Sequence, residues 1–429
     1  METYGKILII AMPLFLLLVI FEKWYGWRKG FDTVRTLDMV SSLSSGVTNS
    51  TKDVLGLSIA IISYGWLVNH LAIMHIQATW LVYVIAFFAL DFAGYWTHRM
   101  AHTFNFFWNN HIVHHSSEEY NLACALRQSI SVFVRIYAVL LIPAAIFGVP
   151  EKVIAVVAPL HLFAQFWYHT RHINRMGWFE YIIVTPSHHR VHHAINPEYL
   201  DKNYGQIFIF WDRLFGTYQE EQANIPAVYG VTRPVRTWNP SKINFMHMWL
   251  VIKDAWHTKS WKDKFRIWLM PLGWRPADVI EKYPVDKIKD VYHFEKYDTP
   301  ASKSMQVYLW VQLICMLLLV SYLFANVAMI KQSGIANLFI YGGFIFLQVY
   351  ALTEFMDRGK YAWLLEAVKN VVCITLIVQN GAWFGSNSIS NAIAPILIGY
   401  FVLSTIAVYY FSKTPEQPNS QTNSQINIA

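Results

Sequence analysis

Charge is scarce in this 429-residue chain. Asp, Glu, Lys and Arg together make up 14% of it, against about a quarter in soluble globular domains. A chain this poor in charge does not read as the two or three soluble domains its length would allow, and its mean hydropathy is +0.30. Cysteine is scarcer still. Cys124, Cys315 and Cys373 stand alone with no paired spacing, which excludes a disulfide framework and a thiolate metal site. No repeat of solenoid period is present, and 55% hydrophobic residues exclude a disordered chain.

What the sequence has instead is a series of apolar runs near the length of a membrane span. Ile7–Ile20 reads as a retained helix: no small-residue cleavage site follows it, and Glu22-Lys23-Trp24-Tyr25 resembles an interfacial flank. Further spans are expected at Val54–Met74, Trp80–Trp96, Met305–Leu323, Ile335–Leu352, Ala362–Val378 and Ile389–Tyr410. Ile130–Val149 and Val153–Trp167 form a hairpin that spans or re-enters. Residues 169–304 are polar, with no long apolar run. The expected fold is all-α, a polytopic transmembrane bundle with a cytoplasmic, histidine-rich di-metal cap. Its divisions are N-terminal spans (1–78), a catalytic domain (79–220), a polar interfacial segment (221–304), C-terminal spans (305–411) and a disordered tail (412–429).

The formal net charge of +7 does not imply nucleic acid, because the basic residues lie beside apolar spans. Lys23, Arg28, Lys29, Arg35 and Lys52 fall in one connection, Arg171, Arg175 and Arg190 in the polar segment, and Arg358 and Lys360 in another connection. Alternating the spans puts all three groups on one face, which the positive-inside rule makes cytoplasmic.

Seventeen histidines are the unusual count. His98 and His102 form an HxxxH pair. His111, His114 and His115 form one HxxHH box, and His189, His192 and His193 form another. On a helix, positions i, i+3 and i+4 share a face, so each box can present converging imidazoles. Eight imidazoles exceed what one first-row ion takes and suit two. Imidazole favours iron, zinc, copper or nickel over calcium and magnesium, and a structural zinc needs four ligands, often with cysteine. The Glu-x-x-His pattern of carboxylate di-iron bundles is absent around the boxes. A single HxxxH at a span end is ordinarily an interfacial pair; three boxes on one face point to a two-iron centre that activates dioxygen. His169 is a candidate ninth ligand, with Gln165 and His161 on its face. His188 and His172 are candidates for a ligand or a supporting role. Asp91, costly in lipid unless it faces a polar interior, is a candidate to orient His98 or, equally, to pack helices.

The boxes resemble those of the fatty acid hydroxylase/sterol desaturase superfamily. The surrounding phrases resemble its alkylglycerol monooxygenase family: His111-Ile-Val-His114-His115-Ser-Ser-Glu118-Glu119-Tyr120-Asn121-Leu with Ala125-Leu126-Arg127-Gln128-Ser129, Gln165-Phe-Trp-Tyr-His169-Thr170, Thr185-Pro-Ser-His188-His189-Arg-Val-His192-His193, Asp201-Lys202-Asn203-Tyr204-Gly205 and Trp211-Asp212-Arg-Leu-Phe215-Gly216-Thr217. The resemblance covers nearly the whole chain. It implies two iron ions held by the eight box histidines, O2 as co-substrate, tetrahydrobiopterin or an electron-donor protein as reductant, and hydroxylation of the ether-linked carbon of alkylglycerols to a hemiacetal that collapses to a fatty aldehyde and a glycerol derivative. Glu118, Glu119, Asn121, Arg127 and Gln128 would then be candidates to bind glycerol hydroxyls or a pterin ring. One departure is visible: where the family pattern carries a glutamate after the second histidine of the first box, Thr103 stands here. A sterol, fatty-acid or carotenoid hydroxylase or desaturase of the same superfamily is the nearest alternative. A histidine-rich transporter or a zinc scaffold is the alternative from another class. The host membrane and oligomeric state stay open.

Overall fold

The computed structural model describes residues 2–414 except 61, 133 and 136, and only the backbone of 2–4, 60, 134, 135 and 137. The expected disordered tail lies, from residue 415 onward, outside the described residues.

The first third runs through α1 (Glu2–Lys29), α2 (Thr36–Val54), α3 (Tyr64–Leu71), α4 (Trp80–Thr103) and the single turns α5 (Asn105–Trp108) and α6 (Ile112–His115). Next come α7 (Ile142–Ile146), α8 (Glu151–Phe163), α9 (Pro186–His193), α10 (Phe210–Leu214), α11 (Pro240–His257), α12 (Trp261–Arg266) and α13 (Ala277–Lys282). The C-terminal bundle is α14 (Lys303–Ala325), α15 (Val327–Gln332), α16 (Ile335–Met356), α17 (Ala362–Asn380) and α18 (Ile393–Lys413). Extended pairing is minimal: Ile59 and Ala60 lie parallel to Val134 and Arg135. The chain is all-helical in class, and six of its helices, α1, α4, α14, α16, α17 and α18, are long and apolar enough to cross a membrane.

Two sequence expectations change. The apolar run at Val54–Met74 is not one span, because Gly56, Ser58 and Ser63 interrupt it and leave only the eight-residue α3, capped by the Ser63 side chain. The hairpin at 130–167 is also broken. Its longest helix, α8, has 13 residues, or about 20 Å at helical rise, short of the ~30 Å hydrocarbon layer. These fragments bury Leu67, Ala86, Leu90, Ala145, Val153 and Val157 in one apolar cluster around α4. Gly148, at φ +70°, makes the turn possible, since a Cβ there would sit 1.8 Å from the Met74 carbonyl oxygen.

The charged connection after the first span contains α2, a helix too rich in serine to register as apolar. It is nevertheless almost wholly buried, because its polar groups find fixed partners. Ser41 donates to the Trp238 carbonyl at 2.7 Å, Ser45 to that of Gln128 at 3.1 Å and Lys52 to that of Ser129 at 3.1 Å. Around it pack Leu309, Leu313, Met316 and Val320 of α14 and Ile345, Val349 and Leu352 of α16.

Within the C-terminal bundle a polar cluster joins four helices. Lys369 lies 2.8 Å from the Glu366 carboxylate and is bonded to Gln348. Ser404 donates to Glu366 at 2.6 Å, and Tyr400 donates to Gln312 at 2.7 Å. The α16–α17 connection meets the polar segment: Asp357 accepts from the Trp238 backbone N–H at 2.7 Å and the Tyr297 hydroxyl at 2.9 Å. The polar segment, α2 and the histidine boxes therefore share one end of the bundle.

Candidate metal centre

Four short pieces of chain deliver the histidines. The last turns of α4 carry His98 and His102, α6 and the residue before it carry the second box, and α9 carries the third. His169 follows the turn that ends α8. Their ring nitrogens form two groups, with the ligand atoms of each group within 4.8 Å of one another: His98, His102, His111, His115 and His192 in one, and His114, His169, His189 and His193 in the other. Each HxxHH box therefore splits between two centres instead of converging on one. The groups adjoin, with the His115 and His193 rings stacked at 4.4 Å between centroids.

The separations are informative. In the first group, Nε2 of His98 lies 2.9 Å from that of His111, and His115 Nε2 lies 3.1, 3.0 and 3.1 Å from those of His102, His111 and His192. In the second, His189 Nε2 is 3.0 Å from that of His169 and 3.1 Å from that of His193, and His169 is 3.5 Å from His114.

Nδ1 of His98 faces the Tyr204 carbonyl oxygen at 2.9 Å, that of His192 the Lys202 carbonyl at 3.0 Å, and that of His169 the Gln165 carbonyl at 3.0 Å. A carbonyl only accepts, so these rings carry their proton on Nδ1 and present a bare lone pair at Nε2. Burial, reinforced by neighbouring imidazoles, holds His111, His114, His115, His189, His192 and His193 well below the ordinary value of 6.5, and burial pulls His169 down to about 4. Protons are therefore poor bridges between these nitrogens. Lone pairs crowded at such distances repel unless a cation sits among them. Two nitrogens each about 2.1 Å from one ion, at right angles, lie about 3 Å apart, the spacing observed. The donor set is all imidazole, which suits iron.

Two of the three acceptors come from a tight turn. Asp201 (φ +59°) and Asn203 (φ +55°) adopt the left-handed conformation that Asp and Asn tolerate best, and the carbonyls of Lys202 and Tyr204 turn towards the rings. Asn203 holds the turn by donating to the carbonyls of Gln219 at 2.7 Å and His188 at 3.1 Å. The fully buried Asp212 accepts from the backbone N–H of Tyr204 at 2.7 Å and of Gly205 at 2.8 Å.

A fatty acid hydroxylase family model matches residues 83–217, a stretch that contains both histidine groups. Among curated proteins, the chain is similar to alkylglycerol monooxygenase of Homo sapiens, 34% identical over 85% of this chain and 81% of that protein. It is similar to that of Xenopus tropicalis at 33% over 85% and 81%. The chain belongs to the alkylglycerol monooxygenase family. A more distant relative is the ornithine lipid hydroxylase OlsE of Rhizobium tropici, 28% identical over 35% of this chain and 46% of that protein. No solved structure matches significantly. As a member of this family the chain is a multi-pass membrane monooxygenase that hydroxylates a lipid, in a family that uses non-haem iron and O2.

For this monooxygenase, the other sequence candidates fall outside both histidine groups. Asp91 does not orient His98. It accepts from His161 Nε2 at 2.8 Å, the backbone N–H groups of Ile207 at 2.9 Å and Phe208 at 3.2 Å, and Trp211 Nε1 at 2.9 Å. Its link to the centre is therefore indirect, through the segment that supplies the Tyr204 carbonyl. Gln165 serves His169 with its backbone oxygen, while its side chain donates to His161 Nδ1 at 3.2 Å. His188 is bonded by Nδ1 to the start of α9 at Thr185, outside both groups. His172 contacts Thr33 at 3.3 Å.

The residues after the second box mainly stitch α2 to the site. Arg127 donates to Asp38 at 2.6 Å, Ser116 at 2.7 Å and Ser42 at 2.9 Å. Asn121 donates to the Thr33 carbonyl at 2.7 Å. Glu119 pairs with Lys296 at 2.9 Å and Arg35 at 3.5 Å, and Glu118 accepts from the Tyr297 N–H at 2.6 Å. Gln128 is exposed and donates to the Ala125 carbonyl at 3.0 Å. The cavity that Glu118, Glu119 and Arg127 help line is about 20 Å³, room for a water and too small for a ring. Thr103 turns its hydroxyl onto the Arg99 carbonyl at 2.7 Å, within its own helix.

Sequence reasoning missed Tyr120, Tyr168 and Tyr204, whose rings pack against the histidines. No spacing rule marks them, because they reach the site from three loops.

Proposed function

We propose that the nine imidazoles hold two iron ions, five at one and four at the other, and that the enzyme uses O2 to hydroxylate the ether-linked carbon of alkylglycerols, with a tetrahydropterin as reductant. The observation that carries the metal assignment is the crowding of Nε2 atoms at about 3 Å around two points. The substrate assignment rests on the relatives, which are named for alkylglycerols across vertebrates. A C–H bond beside an ether oxygen yields to neither acids nor bases, so when bound the iron pair supplies the oxidising power, and the protein supplies binding, orientation and exclusion of water.

The residues divide that work. The backbone carbonyls of Gln165, Lys202 and Tyr204 fix three imidazole tautomers, as acceptors behind metal-ligating histidines do. Tyr120, Tyr168, Tyr204 and Trp108 close the rings off from water with aromatic surface. His98 and His102 stand at the end of a membrane-crossing helix, so an amphiphile can keep its alkyl chain in the bilayer and bring only its head-group end to the centre. The cluster of basic residues at the same end supports a cytoplasmic site by the positive-inside rule.

The test is turnover of an alkylglycerol by the purified protein with 18O2 and tetrahydrobiopterin. The proposal expects fatty aldehyde that carries the labelled oxygen when trapped before exchange with water, and a glycerol derivative that carries none. Aldehyde formed with another reductant but not with the pterin removes the cofactor assignment alone. No aldehyde from alkylglycerol, with hydroxylation of another lipid, removes the substrate assignment.

A further inference from the structure

Beside the second histidine group a cleft of about 400 Å³ opens on the polar end of the molecule, lined by Phe31, Arg171, Arg190, Glu221, Ala227 and Tyr229 among others. That volume is in the range of small-molecule sites. Its walls are of three kinds. Phe31 and Tyr229 offer aromatic rings. Arg171 stands 4.6 Å over the Phe31 ring, and no ion pair holds it among the described residues. Glu221 is gripped by Arg190 at 2.6 and 2.8 Å. The Arg171 guanidinium can donate to a carbonyl oxygen, and the edge of the Arg190–Glu221 pair and the Tyr229 ring bound a slot that a flat heterocycle can enter.

The back of the cleft leads to the histidines. Tyr229 is stacked on Tyr120 at 5.0 Å between centroids and 18° between planes. Tyr120 in turn lies 5.3 Å from the His193 ring and 5.9 Å from that of His169. Both tyrosines are buried, at 0% and 5% exposure, so two stacked, buried rings separate the cleft from the second group. The Tyr120 hydroxyl donates to the Tyr168 carbonyl at 2.9 Å. A carbonyl cannot take that proton, so Tyr120 is not set up to form a neutral radical, and the stacked rings serve only as a tunnelling bridge.

We propose that this cleft docks the reductant, a planar reduced heterocycle of the tetrahydropterin class, and that its electrons reach the second histidine group through the Tyr229–Tyr120 stack. The proposal rests on the iron and pterin reading above. Each turnover breaks one C–H bond, puts one atom of O2 into the new C–OH and reduces the other to water. The docked heterocycle supplies the two electrons this needs, and it and solvent supply the two protons.

The experiment uses the iron-loaded protein and biopterin, the oxidised, fluorescent and redox-inert form, as probe. Arg171→Ala should weaken biopterin binding at least tenfold, and Ala227→Trp, which fills the cleft, should abolish it, both with unchanged iron content. Tyr229→Leu should slow anaerobic reduction by tetrahydrobiopterin at least tenfold while reduction by dithionite keeps its wild-type rate. Wild-type affinity in both cleft variants overturns the proposal, as does displacement of biopterin by pyrophosphate or by anionic phospholipid vesicles, which would make the cleft an anion site. If the wild type itself binds no biopterin, the cleft assignment falls together with the pterin half of the reading, while the iron assignment is judged separately by metal content.

Discussion

Removing the Asp91 carboxylate should damage the metal centre from a distance. Asp91 has no solvent exposure, and its two oxygens accept from four donors: His161 and the Ile207 N–H on one, the Phe208 N–H and Trp211 on the other. Asp91→Asn keeps one acceptor oxygen and turns an amide NH2 towards the remaining donors, leaving at least two of them unpaired. At about 1–3 kcal/mol for each buried unpaired group, the cost is about 2–6 kcal/mol. Asp91→Leu orphans all four. The loosened segment begins three residues after Tyr204, whose carbonyl fixes His98, so metal retention should fall with stability. The assay is the apparent Tm of purified protein in detergent alongside iron per chain, with both falling in the order wild type, Asn, Leu. A Leu variant with the wild-type Tm and full iron content would refute the reasoning.

Other substitutions test separate parts of the structure. His192→Ala should strip iron and turnover while leaving membrane insertion intact; a fully active variant ends its role as a ligand. In the C-terminal bundle, Lys369→Met leaves Glu366 buried without its counter-charge and should cost about 3–5 kcal/mol, most of which Lys369→Met with Glu366→Leu should recover; equal losses in single and double variants in chemical unfolding would contradict this. His247 donates to the Asn105 carbonyl at 3.1 Å, and burial lowers it from 6.5 to about 4. The unfolded chain thus takes up this proton first as pH falls, so its contribution to stability is present above pH 6.5 and is lost between about 6.5 and 4. His247→Gln should flatten the stability–pH curve in that window, and an unchanged slope would count against the assignment.

The gathering of the box histidines was legible because its signal is local. Histidines at i, i+3 and i+4 must share a face wherever the helix goes, and His169 was found through its turn spacing from Gln165 and His161. The division of each box between two centres was not legible, since it depends on how α6 and α9 face each other. The supporting atoms were hidden for a different reason. They are backbone carbonyls of Lys202 and Tyr204, and a carbonyl has no side-chain signature; the Asp201–Asn203 turn was the only clue. Asp91 was correctly marked as a buried carboxylate but tied to the nearest histidine along its helix, whereas its partners lie on α8 and the 207–211 segment. Among the membrane elements, hydropathy recovered the six long helices and failed on the broken ones. Window averages pass over Gly56, Ser58 and Ser63, and they pass over α2, which is buried by hydrogen bonds to serine rather than by apolar side chains.

The most direct measurement is the iron stoichiometry of the purified protein with its Mössbauer spectrum. The account predicts about two irons per chain, magnetically coupled, and a loss of iron on replacing a histidine of either group, such as His98 or His189. One iron per chain, zinc in its place, or full metal content after both replacements would contradict it.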